Sequence, residues 1–533
     1  MDERFSIFPC PYINYSPYFS RNDIRSSKVP AYVHLLNPRR TWYNNRRIII
    51  LNAWIVLLLV TASNNGYDGT MMNGLQSLPQ WKLSFNNPSG SMLGLLNAIQ
   101  HIGSLGGYPF SPYLADGLGR RRTVFIGAVL MCMGTVVQTA SQSVGMFIGA
   151  RFLIGFGHSF AAAASPMLIT EVSYPLYRGP LTSTYNALWQ GGAIVAAWTT
   201  FGTFRIHNTW SWRIPSAFQG IPALVQVCLI LFAPESPRWL IGKGRHEEAL
   251  KTLAYYHADG DENDPLVQYE FNEIKNALEF DRTVAANVGW LSLIATPGNR
   301  RRLRIIVALA FFSQWSGNGL VSYYLNKVFD SIGITDPTIQ LLINGILQIW
   351  NLTWALLGAA LCDRAGRRPL FLVSTAGMAI FFTLQTVCSA QFAIHGSTAA
   401  AHAVIAFIFL FYASYDIAFS PLITSYAVEV LPFALRAKGF MVYNISLSLS
   451  LIFNQYVNPV ALDAIQWKYY IVYCCWIVFE WVYLYLFVVE TKNRTLEETA
   501  ALFDGEEATQ HIQGDTAALD NQRDDLSEEK EKD

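Results

Sequence analysis

The chain has 533 residues, of which 52% are hydrophobic, 14% aromatic and only 14% charged, where an ordinary soluble domain carries roughly 25% charged residues. Its 38 Lys and Arg balance its 38 Asp and Glu, so nothing in the charge points to nucleic acid as a partner. The composition argues against a string of soluble domains and for a chain that lives in lipid.

Residues 1–47 are polar and lack a basic–apolar–small cleavage pattern, so the first apolar run is expected to act as an uncleaved targeting signal. Apolar runs follow at 48–68, 91–114, 122–142, 144–168, 181–204 and 214–233, and again at 303–328, 338–361, 369–390, 399–427, 439–461 and 468–489. A bilayer core about 30 Å thick needs roughly 20 apolar residues per crossing, and only helices satisfy their own backbone there. The expected fold is an all-α membrane protein with twelve transmembrane helices in two pseudo-symmetric halves, 48–233 and 303–489. A linker at 234–302 carries two amphipathic stretches, KGRHEEALKTL and YEFNEIKNALEF, that predict short helices on the membrane face. Residues 490–533 turn acidic and polar, and disorder is expected. Cys132, Cys228, Cys388, Cys474 and Cys475 lie within apolar runs and read as small buried hydrophobes, not as a disulfide framework.

Lys and Arg gather in alternate loops: Arg39, Arg40, Arg46 and Arg47 before the first run, then Arg120, Arg121 and Arg122, Arg178, the linker, Arg364, Arg367 and Arg368, and Arg436 with Lys438. The intervening loops hold little beyond Lys82, Arg205, Lys327 and Lys468. By the positive-inside rule both termini face the cytoplasm. Asn14, Asn351, Asn444 and Asn493 begin glycosylation sequons, but each falls in a cytoplasmic tail or a helix, and none is expected to be modified.

The halves repeat each other. The second run ends in Asp116-Gly-Leu-Gly-Arg120-Arg121 and the eighth in Asp363-Arg-Ala-Gly-Arg367-Arg368. The fourth leads to Glu171 and, seven residues on, Arg178; the tenth leads to Glu429 and, seven on, Arg436. The sixth exits through Pro234-Glu235-Ser-Pro-Arg238 and the twelfth through Glu490-Thr-Lys. Repeats of this kind build transporters with a site between the halves. Carboxylates and arginines at matched helix ends suggest latches that pair across the half interface when that side is shut: Asp116, Glu171, Glu235, Asp363, Glu429 and Glu490 against Arg120, Arg121, Arg178, Arg238, Arg367, Arg368 and Arg436. The bland alternative is that the cations only set topology.

Asp68 ends the first run, where an acid is costly unless paired or facing a cavity, and Arg151 stands at similar depth on the fourth. The amides Asn186 and Gln190, Gln314 and Asn318, Asn351 and Asn444, with Tyr323 and Tyr324, suit a ligand whose many hydroxyls both donate and accept. No intramembrane cation cluster beyond Arg151 is read at these depths, so a neutral polyol is favoured over an anion. Any single amide is as readily helix-to-helix glue. There is no metal-ligand spacing, nucleotide loop or nucleophile motif, so neither an enzyme nor an ATP-driven pump is expected, and no cofactor.

The ordered set of D-x-x-G-R-R pairs, E…R pairs, PESPRWL, the E-T-K ending, and Gly149-x-Arg151 with Gly155 and Gly157 resembles the sugar porter family of the major facilitator superfamily over about 45–500. SQWSGNGLVSYY and FSPLITSYAVEVLPFALRAKG resemble fungal lactose- and cellodextrin-permease-like members most. The resemblance implies a major facilitator fold, a proton–sugar symporter with Asp68 and Arg151 as the coupling pair, sugar and protons as partners, a plasma-membrane location and a monomer. A facilitator, or a sugar receptor with little transport, is the alternative. It implies a sugar site at Asn186, Gln190, Gln314, Asn318, Tyr323, Tyr324, Asn351, Thr424 and Asn444. Against hexose porters, Asn186, Ser313, Gly319 and Thr424 each replace a larger residue, so a wider pocket and a disaccharide such as lactose or cellobiose are expected.

Overall fold

A computed structural model describes residues 44–287, 289–431 and 433–492, together with 35, 502 and 503. Seven crossings are single helices: Arg46–Leu75, Arg120–Thr139, Val144–Val172, Arg178–Thr203, Pro337–Ala365, Arg367–His395 and Thr398–Val430. Two more, Phe433–Ile465 and Tyr469–Phe487, complete the second half. The remaining three are broken, and each break has a sequence cause. The second helix runs Gly90–Gly107 and resumes at Ser111–Leu118 with Pro112 in its first turn. The sixth runs Trp210–Phe218 and Ile221–Leu229, again with a proline opening the second piece. The seventh runs Pro297–Trp315 and Asn318–Ser331, parted at Gly317, whose φ of +91° only glycine adopts without strain. Among the described residues, nine stretches pass a length-and-hydropathy test for spanning. The eleventh and twelfth helices fall in one of them. The second and fifth fall in none, and both carry buried amides, Asn97 and Gln100 on one and Gln190 on the other.

Within the first half the backbones touch. A methyl on Gly66 would sit 1.9 Å from the Trp189 carbonyl oxygen, and one on Gly192 would sit 1.9 Å from that of Ser63, so the first and fifth helices pack as membrane helices do, through small residues. Bonds between the halves gather at the end away from the linker. There Asn73 Oδ1 accepts from the Leu325 amide (3.1 Å), Gln76 donates to the Tyr323 carbonyl (2.9 Å), Asn326 donates to that of Gln76 (3.2 Å), and the Gly90 amide donates to Asp463 (2.9 Å). Asp463 also pairs with Lys327. The chain is therefore clasped shut at that end.

At the other end lie the linker helices Pro237–Gly242, His246–His257 and Pro265–Asn287. The second and third are amphipathic, as expected, and bury Leu253, Ala254 and Val267 against each other. Buried Glu270 bonds His257 (2.6 Å) and lies 3.8 Å from Arg178, tying the linker to the turn between the fourth and fifth helices. Cys132, Cys228, Cys388, Cys474 and Cys475 form no disulfide.

Candidate transport site and linker-end ion pairs

The first half holds one fully buried ion pair. Arg151 grips Asp68 through two bonds of 2.9 Å, and both residues are at most 3% exposed. Three amides complete it. Gln100 on the second helix accepts from Arg151 (3.0 Å), Gln219 at the break of the sixth donates to Asp68 (2.6 Å), and Gln138 on the third donates to Gln219 (3.0 Å). Asp68 thus faces three donors. Gln100, Gln138 and Gln219 escaped the sequence reading. A glutamine inside an apolar run was the available signal, but only the fold shows that three of them converge. The reading of no Lys, Arg or His cluster beyond Arg151 at these depths also needs correction: two histidines, His101 beside Gln100 and His158 two turns along from Arg151, lie within electrostatic reach of Asp68.

The second site element is the break of the seventh helix. A broken helix strands its last carbonyls, and here side chains of the tenth and eleventh helices, with Asn318 of the seventh itself, collect them. Tyr415 donates to the Ser313 carbonyl (2.7 Å), as does Asn318 (3.0 Å); Asn454 donates to Gln314 (2.7 Å) and Ser450 to Ala310 (3.3 Å). Tyr412 donates to the Asn318 carbonyl (2.7 Å), and Tyr324 to that of Gln455. Gln314, Asn318 and Tyr324 are therefore brought together. Tyr323 is half-buried beside them, its carbonyl in the outer clasp. Gln190, Asn318 and Asn351 are buried, and the side-chain oxygen of each has no protein partner. A polyhydroxy ligand is one chemistry that satisfies such atoms.

Two expectations shift. Thr424 and Asn444 are half-buried and stand apart from the break: at 1.5 Å per residue they lie about 18 and 15 Å nearer the linker than Tyr412 and Asn454. The space that Gly319 opens is not empty either. A methyl there would sit 1.9 Å from the Asn454 amide nitrogen, so Asn454 has moved into the vacated volume, and this position does not widen the pocket. Gly319→Asn is expected to drive Asn454 off the Gln314 carbonyl, losing substrate affinity by at least about tenfold, roughly 1.4 kcal/mol; a binding titration checks this. The side chain of Asn186 lies outside the described residues, as does that of Asp363.

A buried acid that the sequence reading passed over, Asp416, sits one turn beyond Tyr412 on the tenth helix, 1% exposed, bonded to Ser420 and with Oδ2 unpartnered. An ionisable group at such depth marks a functional region by default.

At the linker end expected latch residues do pair, and the following pairs, among the described residues, lie within a half. Arg120 meets Asp116 (3.2 Å) and Glu171 (3.2 Å), and Arg367 meets Glu429 (3.1 Å). Glu235 accepts from the Arg120 and Arg121 amides, and Glu490 from those of Arg367 and Arg368. Burial pushes the Glu490 carboxyl up, but these amides and that of Lys492 outweigh it and hold the group below the usual range. Arg121 donates to the carbonyls of Leu231 and Ala233, Arg368 to that of Tyr485. Arg178 reaches Glu270, Arg238 lies in the first linker helix, and Arg436 is half-buried at the start of the eleventh. The two-fold repeat read from the sequence is thus a repeat of geometry: an acid caps the turn into the third helix, and its counterpart caps the turn into the ninth.

A family model described as "Sugar (and other) transporter" matches residues 54–503. The chain is 30% identical over 464 residues to the MFS-type transporter oryC of Aspergillus oryzae, covering 84% of each chain. It is 28% identical over 454 residues to the arabinose-proton symporter of Bacillus subtilis, covering 82% of this chain and 92% of the other. Its fold matches the inward-open xylose transporter XylE of E. coli at a TM-score of 0.71 and 24% identity, over 85% of this chain and 100% of that one. Twelve helices in two six-helix halves, the paired end motifs and these matches place the chain among membrane transporters: it belongs to the sugar (and other) transporter family, the sugar porters of the major facilitator superfamily.

Proposed function

We propose that the protein is a proton-coupled symporter that carries a neutral sugar into the cell by alternating access. The observation that carries this reading is the buried Asp68–Arg151 pair with its three amides. Taking two charges out of water costs several kcal/mol per ion, and a well-packed apolar pair is often as stable; a role in coupling accounts for an acid kept at this depth. Protonation removes the charge that Arg151 grips and frees the first and fourth helices to shift against each other. The similarity to the Bacillus relative, an arabinose-proton symporter, agrees with it.

The sugar binds between the halves, against Gln190, Asn318 and Asn351, whose open oxygens lack partners, with Gln314, the two tyrosines and Asp416 close to the helix break. Thr424 and Asn444 line the approach from the linker end. Smaller side chains at Asn186, Ser313 and Thr424 favour a disaccharide such as lactose or cellobiose, while the filled space at Gly319 restores part of a monosaccharide-sized site. The linker end and both termini face the cytoplasm, following the basic loops, in the plasma membrane, and the protein works as a monomer. The linker-end ion pairs then belong to a cytoplasmic gate, its arginines held by acids of their own half until closure offers partners across it.

Uptake of labelled lactose, cellobiose, glucose and xylose by transport-deficient yeast, with and without a protonophore, tests the reading. Uptake of one sugar that collapses with the proton gradient supports it. Equal uptake in both conditions makes the protein a facilitator, and entry of none of the four favours a receptor or another solute.

A further inference from the structure

Glu480, near the middle of the twelfth helix, plays no part in the site above. It is 0% exposed. Its surroundings are aromatic: Phe312, on the first piece of the seventh helix, packs edge-on against Trp476, Phe479 and Tyr483, the residues around Glu480 on its own helix. Oε2 meets Ser316 Oγ at 2.9 Å, and Oε1 has no partner. No Lys, Arg or His among the described residues pairs with it. An isolated carboxylate in such a place costs far more than any single contact returns, and a group so placed neutralises instead.

The hydrogen-bond count agrees. Ser316 Oγ also bonds the Phe312 carbonyl. A hydroxyl has one proton. Ser316 Oγ is placed to donate to both the carbonyl and Oε2, one proton cannot serve both, and a neutral carboxyl resolves the conflict by donating in the second contact.

Ser316 is the residue at which the seventh helix breaks, next to Gly317 with its left-handed backbone. The piece after the break carries Asn318, Tyr323 and Tyr324 and forms the outer clasp with the first helix. If the halves alternate, that piece must swing while Pro297–Trp315 stays packed on the eleventh and twelfth helices. We propose that Glu480, as a neutral carboxylic acid, is a positioning residue: it fixes the stationary side of this hinge through Ser316 and so sets where Gln314 and Asn318 stand. It is a hydrogen-bond donor and takes no part in carrying the coupling proton. This rests on the transport reading above.

The test compares Glu480→Gln and Glu480→Leu in the full chain, both checked for surface amount and for a single size-exclusion peak. The amide keeps a donor and a near-identical shape, so its KM and the pH profile of uptake should match wild type. Leucine keeps the bulk and loses the bond; KM should rise about fivefold, the equivalent of one hydrogen bond, with the pH profile unmoved. A shifted pH profile or lost accumulation in Glu480→Gln overturns the proposal, because the acid then titrates in the cycle. Wild-type KM in Glu480→Leu overturns it as well. A second readout does not need transport: the rate at which a short thiol reagent cross-links Asn73→Cys to Leu325→Cys, in membranes without sugar. Leucine at 480 should change that rate at least threefold and glutamine should not. Equal rates in all three proteins refute the hinge role even if no sugar is found, whereas absent uptake with the expected rates refutes only the transport reading.

Discussion

Asp68→Asn is expected to abolish accumulation of sugar while sparing its entry down a gradient. One proton moving down 100 mV is worth about 2.3 kcal/mol, enough for roughly fifty-fold accumulation at about 1.4 kcal/mol per tenfold; the variant should equilibrate near unity. The geometry explains why so small a change acts so strongly. Asparagine keeps the shape and can still accept from Arg151 and Gln219, but it neither carries the charge nor takes up a proton. The cost to folding is separate. Removing one partner of a buried pair costs about 3–5 kcal/mol because the other charge is left alone, and here Gln100 still accepts from Arg151, so the loss should fall at the low end. The double variant Asp68→Asn, Arg151→Gln should recover folded yield without recovering accumulation. Measured accumulation ratios alongside size-exclusion profiles separate the two effects.

Gly155→Val is expected to give the largest loss of folded protein. A methyl at this position would stand 1.9 Å from the Gln100 carbonyl oxygen and 2.7 Å from its carbonyl carbon. Both neighbours are backbone, so neither can rotate away; the second and fourth helices must part. Overpacking of this kind costs about 1–3 kcal/mol where side chains can adjust, and more is expected here. Parting the helices also withdraws Gln100 from Arg151 and the Ser104 hydroxyl from the Gly155 carbonyl, a bond of 2.9 Å. Gly149→Val, on the same helix with open space around it, should be nearly silent. Thermal melting of the two detergent-purified variants tests the contrast.

How much of this could be read in advance varied with the physics behind each feature. Apolar runs report lipid contact directly, so the twelve crossings were legible, with ends off by a few residues where polar turns continue a helix past the bilayer: the first run, expected to stop at 68, continues as helix to Leu75. Repeated end motifs were legible because both halves solve one problem, turning a chain at a membrane face. The pairing of Asp68 with Arg151 was legible because two charges at one depth in lipid have few alternatives. The amides were legible only as a class. Gln138, Gln219, Asn73 and Asn454 look no different in sequence from Gln190 or Asn351; what separates them is which neighbour each meets, and that depends on helix rotation. The filled space at Gly319 belongs to the same group, because the residue that fills it lies 135 positions away. Glu480 and Asp416 were single acids in apolar runs and deserved the suspicion given to Asp68, yet among the described residues neither has a cation opposite to mark it.

The measurement closest to the central claim is proton movement itself. Purified protein in liposomes, with a pH dye outside and no imposed gradient, should make the outer medium more alkaline when the preferred sugar is added, and Asp68→Asn should take up the sugar with no change in pH. Sugar entry into wild-type vesicles with a flat pH trace would contradict the account, leaving the buried pair as a structural fixture of a facilitator.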